Sequence, residues 1–82
     1  MPTVFRFDGL RAAIYPNDHR PAHIHVMGRG CEAVFNLHCP KGPLELRENY
    51  GFSVNELTRI RAALAVNLAA ACREWERIHG DA

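Results

Sequence analysis

The stretch His19-Arg20-Pro21-Ala22-His23-Ile24-His25 gathers three of the chain's five histidines into seven residues, an H-x3-H-x-H arrangement. Side chains alternate along an extended strand, so His23 and His25 share a face about 6.5–7 Å apart. Imidazoles so placed can converge on one ion, with a third ligand from the preceding loop (His19 or Asp18) or from across a hairpin (Glu32). Imidazole suits zinc, nickel, copper or iron, and three protein ligands with a position left open make a catalytic rather than a structural site. His19, His23 and His25 are therefore the candidate metal ligands. A plainer reading has the histidines hydrogen-bonding locally on a half-exposed sheet face and coordinating nothing. A third needs no metal: His23 and His25 move protons, Glu32 serves as their carboxylate partner, and Arg6, Arg11 and Tyr15 hold a phosphate or an RNA backbone. All three readings stay open on the sequence, and with them the question of whether the chain is an enzyme.

These residues need a sheet to position them, and the first third of the chain reads as strands. Asp8-Gly9 between Val4–Phe7 and Leu10–Tyr15 is a strong hairpin signal, because a type I′ turn needs positive φ at both central residues. It pairs Phe7 with Leu10, Phe5 with Ala12 and Thr3 with Ile14, leaving Phe5, Phe7, Leu10, Ala12 and Ile14 on one face. Pro16 to Pro21 breaks the ladder. A second hairpin follows over His23–Met27 and Cys31–Leu37. A II′ turn at Gly28-Arg29 sets Val26 opposite Cys31 and His25 opposite Glu32, whereas a three-residue Gly28-Arg29-Gly30 loop would change the parity. Leu44-Glu45-Leu46 is a short edge strand. Ser53 and Glu56 form a capping box, and Leu57, Ile60, Leu64, Leu68, Ala71 or Cys72, Trp75 and Ile78 then recur at helical spacing up to Gly80. The expected fold is α+β: a small, mainly antiparallel sheet of four to five strands (residues 3–46) packed on one long C-terminal helix (53–79), with the histidines on the opposite face, in a single domain of 82 residues.

The helix middle is unusual. From Ala62 to Cys72 the only polar side chain is Asn67, which predicts burial on two sides, by the sheet and by a second chain meeting Ala62, Ala65, Val66 and Ala69. A homodimer or a small partner protein would serve. A membrane span needs about 20 apolar residues, so no membrane role is expected. Ten basic against nine acidic side chains exclude a bulk nucleic-acid footprint. Arg59, Arg73 and Arg77 read as a solvated stripe, and His38 and His79 as isolated. Cys31, Cys39 and Cys72 lack regular spacing and no export signal precedes them. They are expected to be reduced core residues of a cytoplasmic protein.

Four segments together carry a resemblance: T-V-F-R-F-D-G at the start, P-N-D-H-R-P-A-H-I-H-V, C-E-A-V-F-N-L, and L-E-L-R-E-N-Y-G-F-S-V-N-E-L at the strand–helix junction. They resemble family 4160 of the domains of unknown function, short bacterial proteins, over residues 3 to about 79. The family pattern matches His19, Pro21, His23 and His25, and then Glu48, Asn49, Tyr50 and Gly51. Ala22 stands where relatives have a second proline, and Cys39-Pro40-Lys41-Gly42 resembles an insertion. The resemblance implies a gene organisation similar to toxin–antitoxin pairs, and hence an interaction protein acting through a partner chain and RNA. The alternative is a small metal- or histidine-dependent hydrolase or nuclease. Glu48-Asn49-Tyr50 reads as a polar turn, with Tyr50 or Phe52 packing on Leu57, or as a source of a further ligand or acid beside the histidines.

Overall fold

A computed structural model describes residues 3–80. Five strands, β1 (Thr3–Phe7), β2 (Leu10–Ala13), β3 (His23–Gly28), β4 (Cys31–Asn36) and β5 (Glu45–Tyr50), precede two helices, α1 (Val54–Val66) and α2 (Leu68–His79). The strands form one antiparallel meander in sequence order, the outcome when short turns join strands that each need a neighbour. This fits the expected α+β class, with two corrections: the sheet runs on to Tyr50, and the helical region is two helices rather than one.

The break falls at Asn67, whose backbone (φ −105°, ψ 14°) leaves the helix. Its side-chain amide donates to the Ala63 carbonyl at 2.9 Å. Asparagine competes in this way for backbone groups that a helix would use. The capping box forms as expected: Ser53 Oγ accepts from Glu56 N at 3.1 Å and Glu56 Oε1 accepts from Ser53 N at 2.8 Å.

The first hairpin keeps the expected register at Phe7–Leu10 and Phe5–Ala12, then slips at a bulge so that Thr3 meets Ala13 rather than Ile14. In the second, the turn is Arg29-Gly30, with φ of 51° and 77°, not Gly28-Arg29. Gly28 stays in the ladder opposite Cys31, and His25 pairs with Val34. The reason is packing: a Cβ on Gly28 would come within 2.6 Å of Leu10 Cδ2 and 3.1 Å of the Gly9 carbonyl, so the glycine serves close approach of the first turn. The slip is two residues. Parity therefore survives, and Ile24, Val26, Ala33 and Phe35 are buried with Leu10, Ala12 and Ile14 against Ile60, Leu64, Ala71 and Trp75.

The cysteine expectation is also corrected. Cys39 and Cys72 are joined in a disulfide that ties the loop before β5 to α2, while Cys31 is a free, partly buried thiol. Residues 33 apart in sequence carry no pairing signal, and only the docking of α2 brings their Cα atoms to 5.8 Å. Among the described residues, no helix is long and apolar enough to cross a membrane.

Candidate functional site

The site is built at the end of the sheet where β2 leaves and β3 begins. Pro16 follows Tyr15 in a tight turn closed by Asp18 N donating to the Tyr15 carbonyl at 3.0 Å, a position where proline's fixed φ is favoured. Tyr15 N in return donates to Asp18 Oδ2 at 3.3 Å, which aims that carboxylate inward. The chain re-enters the sheet at His23, and strand alternation turns His23 and His25 the same way.

Asp18, His23 and His25 each offer one ligand atom within 4.8 Å of the other two. Asp18 Oδ2 lies 3.3 Å from His23 Nε2 and 3.2 Å from His25 Nε2. On the far side of each ring, His23 Nδ1 is 2.8 Å from the Pro21 carbonyl and His25 Nδ1 is 3.1 Å from Glu32 Oε2. All four ring nitrogens therefore face oxygen. A neutral imidazole carries one N–H, so once Nδ1 donates outward, each Nε2 presents a lone pair to the Asp18 carboxylate. Like electrostatic ends meet there. A cation in the centre, a proton or a metal ion, removes the conflict.

Burial grades across the site. The His23 side chain is 7% exposed, those of His25 and Asp18 are 17% and 18%, and that of Glu32 is 42%, so the cluster opens toward Glu32. His23 packs on Trp75 (ring centroids 5.4 Å apart) and Trp75 stacks on His79 at 3.9 Å. His79 Nε2 lies 3.1 Å from the Tyr15 carbonyl. His25 thus lies on the outer sheet face as expected, whereas His23, at the start of the strand, meets the last turns of α2, which wall that side of the site. His79 is not isolated. Its spacing of four from Trp75 was the available signal, since i and i+4 share a helix face.

The other expected residues divide. His19 is exposed and outside the converging group, and the loop ligand is Asp18. Glu32 stands opposite Met27 rather than His25, yet reaches His25 diagonally. Arg11 and Tyr15 lie near His25, because β2 pairs with β3 and sets Ala13 beside His25 and Arg11 beside Met27, while Arg6 stands one strand further out, opposite Arg11. The Tyr15 ring meets the His25 ring edge-on at 5.0 Å. Glu48, Asn49 and Tyr50 form strand rather than turn. The Tyr50 hydroxyl donates to Glu48 Oε1 at 3.3 Å, and the Glu48 charge pushes the Tyr50 phenol up. Asn49 instead clamps Phe52, accepting from its N–H at 3.1 Å and donating to its carbonyl at 3.0 Å. His38 pairs with Glu45 at 2.8 Å, a bond that holds the Glu45 carboxyl below its usual range.

A sequence profile for a domain of unknown function, DUF4160, matches residues 9–76, which takes in both the histidine block and the E-N-Y-G-F-S junction. The chain belongs to this family. No curated protein and no solved structure matches it. The DUF4160 match covers β2 to β5, α1 and α2 as far as Glu76, and so takes in Asp18, His23, His25 and Glu32 but not β1 or His79.

Proposed function

We propose that this DUF4160 chain binds a divalent transition metal through Asp18, His23 and His25 and uses it as a hydrolytic centre. The observation that carries the reading is the convergence of one ligand atom each from Asp18, His23 and His25, with the far nitrogen of each ring already set against an oxygen. Metal-bound histidines commonly donate their second N–H to a carboxylate or a backbone carbonyl, the roles here of Glu32 and Pro21. Ligand atoms about 2.0–2.2 Å from a tetrahedral ion lie roughly 3.3–3.6 Å apart; two of the three edges, at 3.2 and 3.3 Å, are close to this, and all three ligand atoms lie within 4.8 Å of one another. Three protein ligands leave coordination open for water, which such an ion acidifies toward neutrality. Glu32 then acts as a positioning residue through His25.

Metal content by mass spectrometry on untagged protein, with titration of zinc, nickel and copper, tests this. One ion per chain is expected, lost in His25→Ala and in Asp18→Ala. Folded protein that takes up none of the three metals overturns the proposal.

A second reading, a partner-binding component of a toxin–antitoxin-like pair, is supported by a separate observation. Val66 is 85% exposed, and Ala62, Ala65 and Ala69 are exposed beside it. This reading expects Val66→Asp to abolish association with a second chain, read by sedimentation, while His25→Ala leaves it intact.

A further inference from the structure

Beside the histidines, the outer sheet face holds hydrogen-bond donors without matching acceptors. Arg6 and Arg11 stand directly opposite each other on β1 and β2, and like charges so placed destabilise a sheet. Among the described residues neither has a carboxylate within ion-pairing distance. The Arg11 guanidinium points Nη2 at Met27 Sδ at 3.8 Å, and the Tyr15 hydroxyl donates to the same sulfur at 3.4 Å. A thioether is a weak acceptor, so two strong donors converge on an atom that barely satisfies them. Met27 follows His25 by two residues on the same face of β3, and Arg11 is His25's diagonal neighbour across the pair, roughly 7–8 Å away.

We infer that Arg11 and Tyr15, with Arg6 beside them, form a phosphate-binding subsite above Met27, so that the proposed metal centre acts on phosphate esters. This rests on the metal reading. Charge favours it: a divalent ion at the cluster would be offset by the carboxylates of Asp18 and Glu32, leaving the two arginines uncompensated and ready for an anion. Geometry favours it too. A phosphate with one oxygen toward the metal position presents others to a planar guanidinium, which matches such oxygens in pairs, and to the Tyr15 hydroxyl. In hydrolysis, the water oxygen would form a bond to phosphorus, the ester P–O bond would break, and the water proton would leave on the departing alcohol.

The test uses the full chain supplied with zinc, reading zinc content by mass spectrometry and inorganic phosphate affinity by calorimetry on the same samples. Arg11→Met should keep its zinc and weaken phosphate binding roughly tenfold to hundredfold, the range for a lost bond to a charged group. Tyr15→Phe should keep zinc and weaken it about tenfold. Competition then separates the sources of phosphate. Displacement by bis(4-nitrophenyl) phosphate and a short single-stranded RNA marks a diester site, whereas displacement by 4-nitrophenyl phosphate alone marks a monoester site. Stoichiometric zinc with phosphate affinity unchanged in both variants overturns the subsite and leaves the metal reading standing. Protein that takes no zinc, nickel or copper overturns both.

Discussion

Two stretches of the chain handle hydrogen bonds in opposite ways. At the β5–α1 junction the polar side chains pair with backbone groups close by. Asn49 grips both backbone groups of Phe52, Ser53 and Glu56 exchange bonds, and Phe52 is buried beneath. At the β2–β3 end, by contrast, two imidazoles present all four nitrogens to oxygens, and Arg11 and Tyr15 spend their donors on a thioether. A motif that closes its own hydrogen-bond account stabilises the fold. One whose donors meet only a weak acceptor has room for a ligand, because polar groups poorly matched in partners are costly to bury.

Four experiments break or sharpen this contrast. Glu32→Ala removes the acceptor behind His25 and should lower metal affinity about 10–100-fold while leaving the urea midpoint of metal-free protein nearly unchanged. An equal loss of stability would make Glu32 a structural residue and blur the distinction. Asn49→Ala strands the Phe52 N–H and carbonyl at a partly hydrated turn, so denaturant titration should show a loss of about 1–2 kcal/mol with metal uptake intact. Ser53→Ala removes the cap of α1 and should cost about 1 kcal/mol by the same titration.

The smallest effect is a dependence on pH. Hydrogen bonds from the Ser53 backbone N–H and the Ser53 side chain, then the Arg29 ion pair, hold the Glu56 carboxyl below its usual range. A carboxylate lowered on folding contributes stability above its unfolded pKa and loses it as pH falls through the folded value. Glu56→Gln should therefore flatten the acid side of the stability profile and leave metal binding near neutral pH unaltered. An unflattened acid limb would mean that Ser53 holds the cap alone.

The disulfide bears on the histidine end, since Cys72 anchors the helix whose Trp75 walls His23.

Much of this was legible in the residues. Asp8-Gly9 fixed a turn, Ser53 with Glu56 fixed a helix start, and alternation set His23 and His25 on one face. These are local rules, settled by neighbours a few residues apart. The second turn was misplaced because Gly28 serves a contact with Leu10 made only when the hairpins pack side by side. The helix break was hidden because Asn67 stands in a run whose apolar spacing continues on both sides.

Sequence alone thus determined the α+β class, the first hairpin, the start of the helical region and which faces are apolar, since propensity, capping and periodicity act over a single turn or strand. Tertiary structure decided the rest. It chose Asp18 over His19 as the third member of the cluster, brought Arg11 and Tyr15 beside it through the β2–β3 pairing, and joined Cys39 to Cys72. Each of these depends on chain segments meeting across the fold. Such meetings are set by packing of the whole core, which no local pattern encodes.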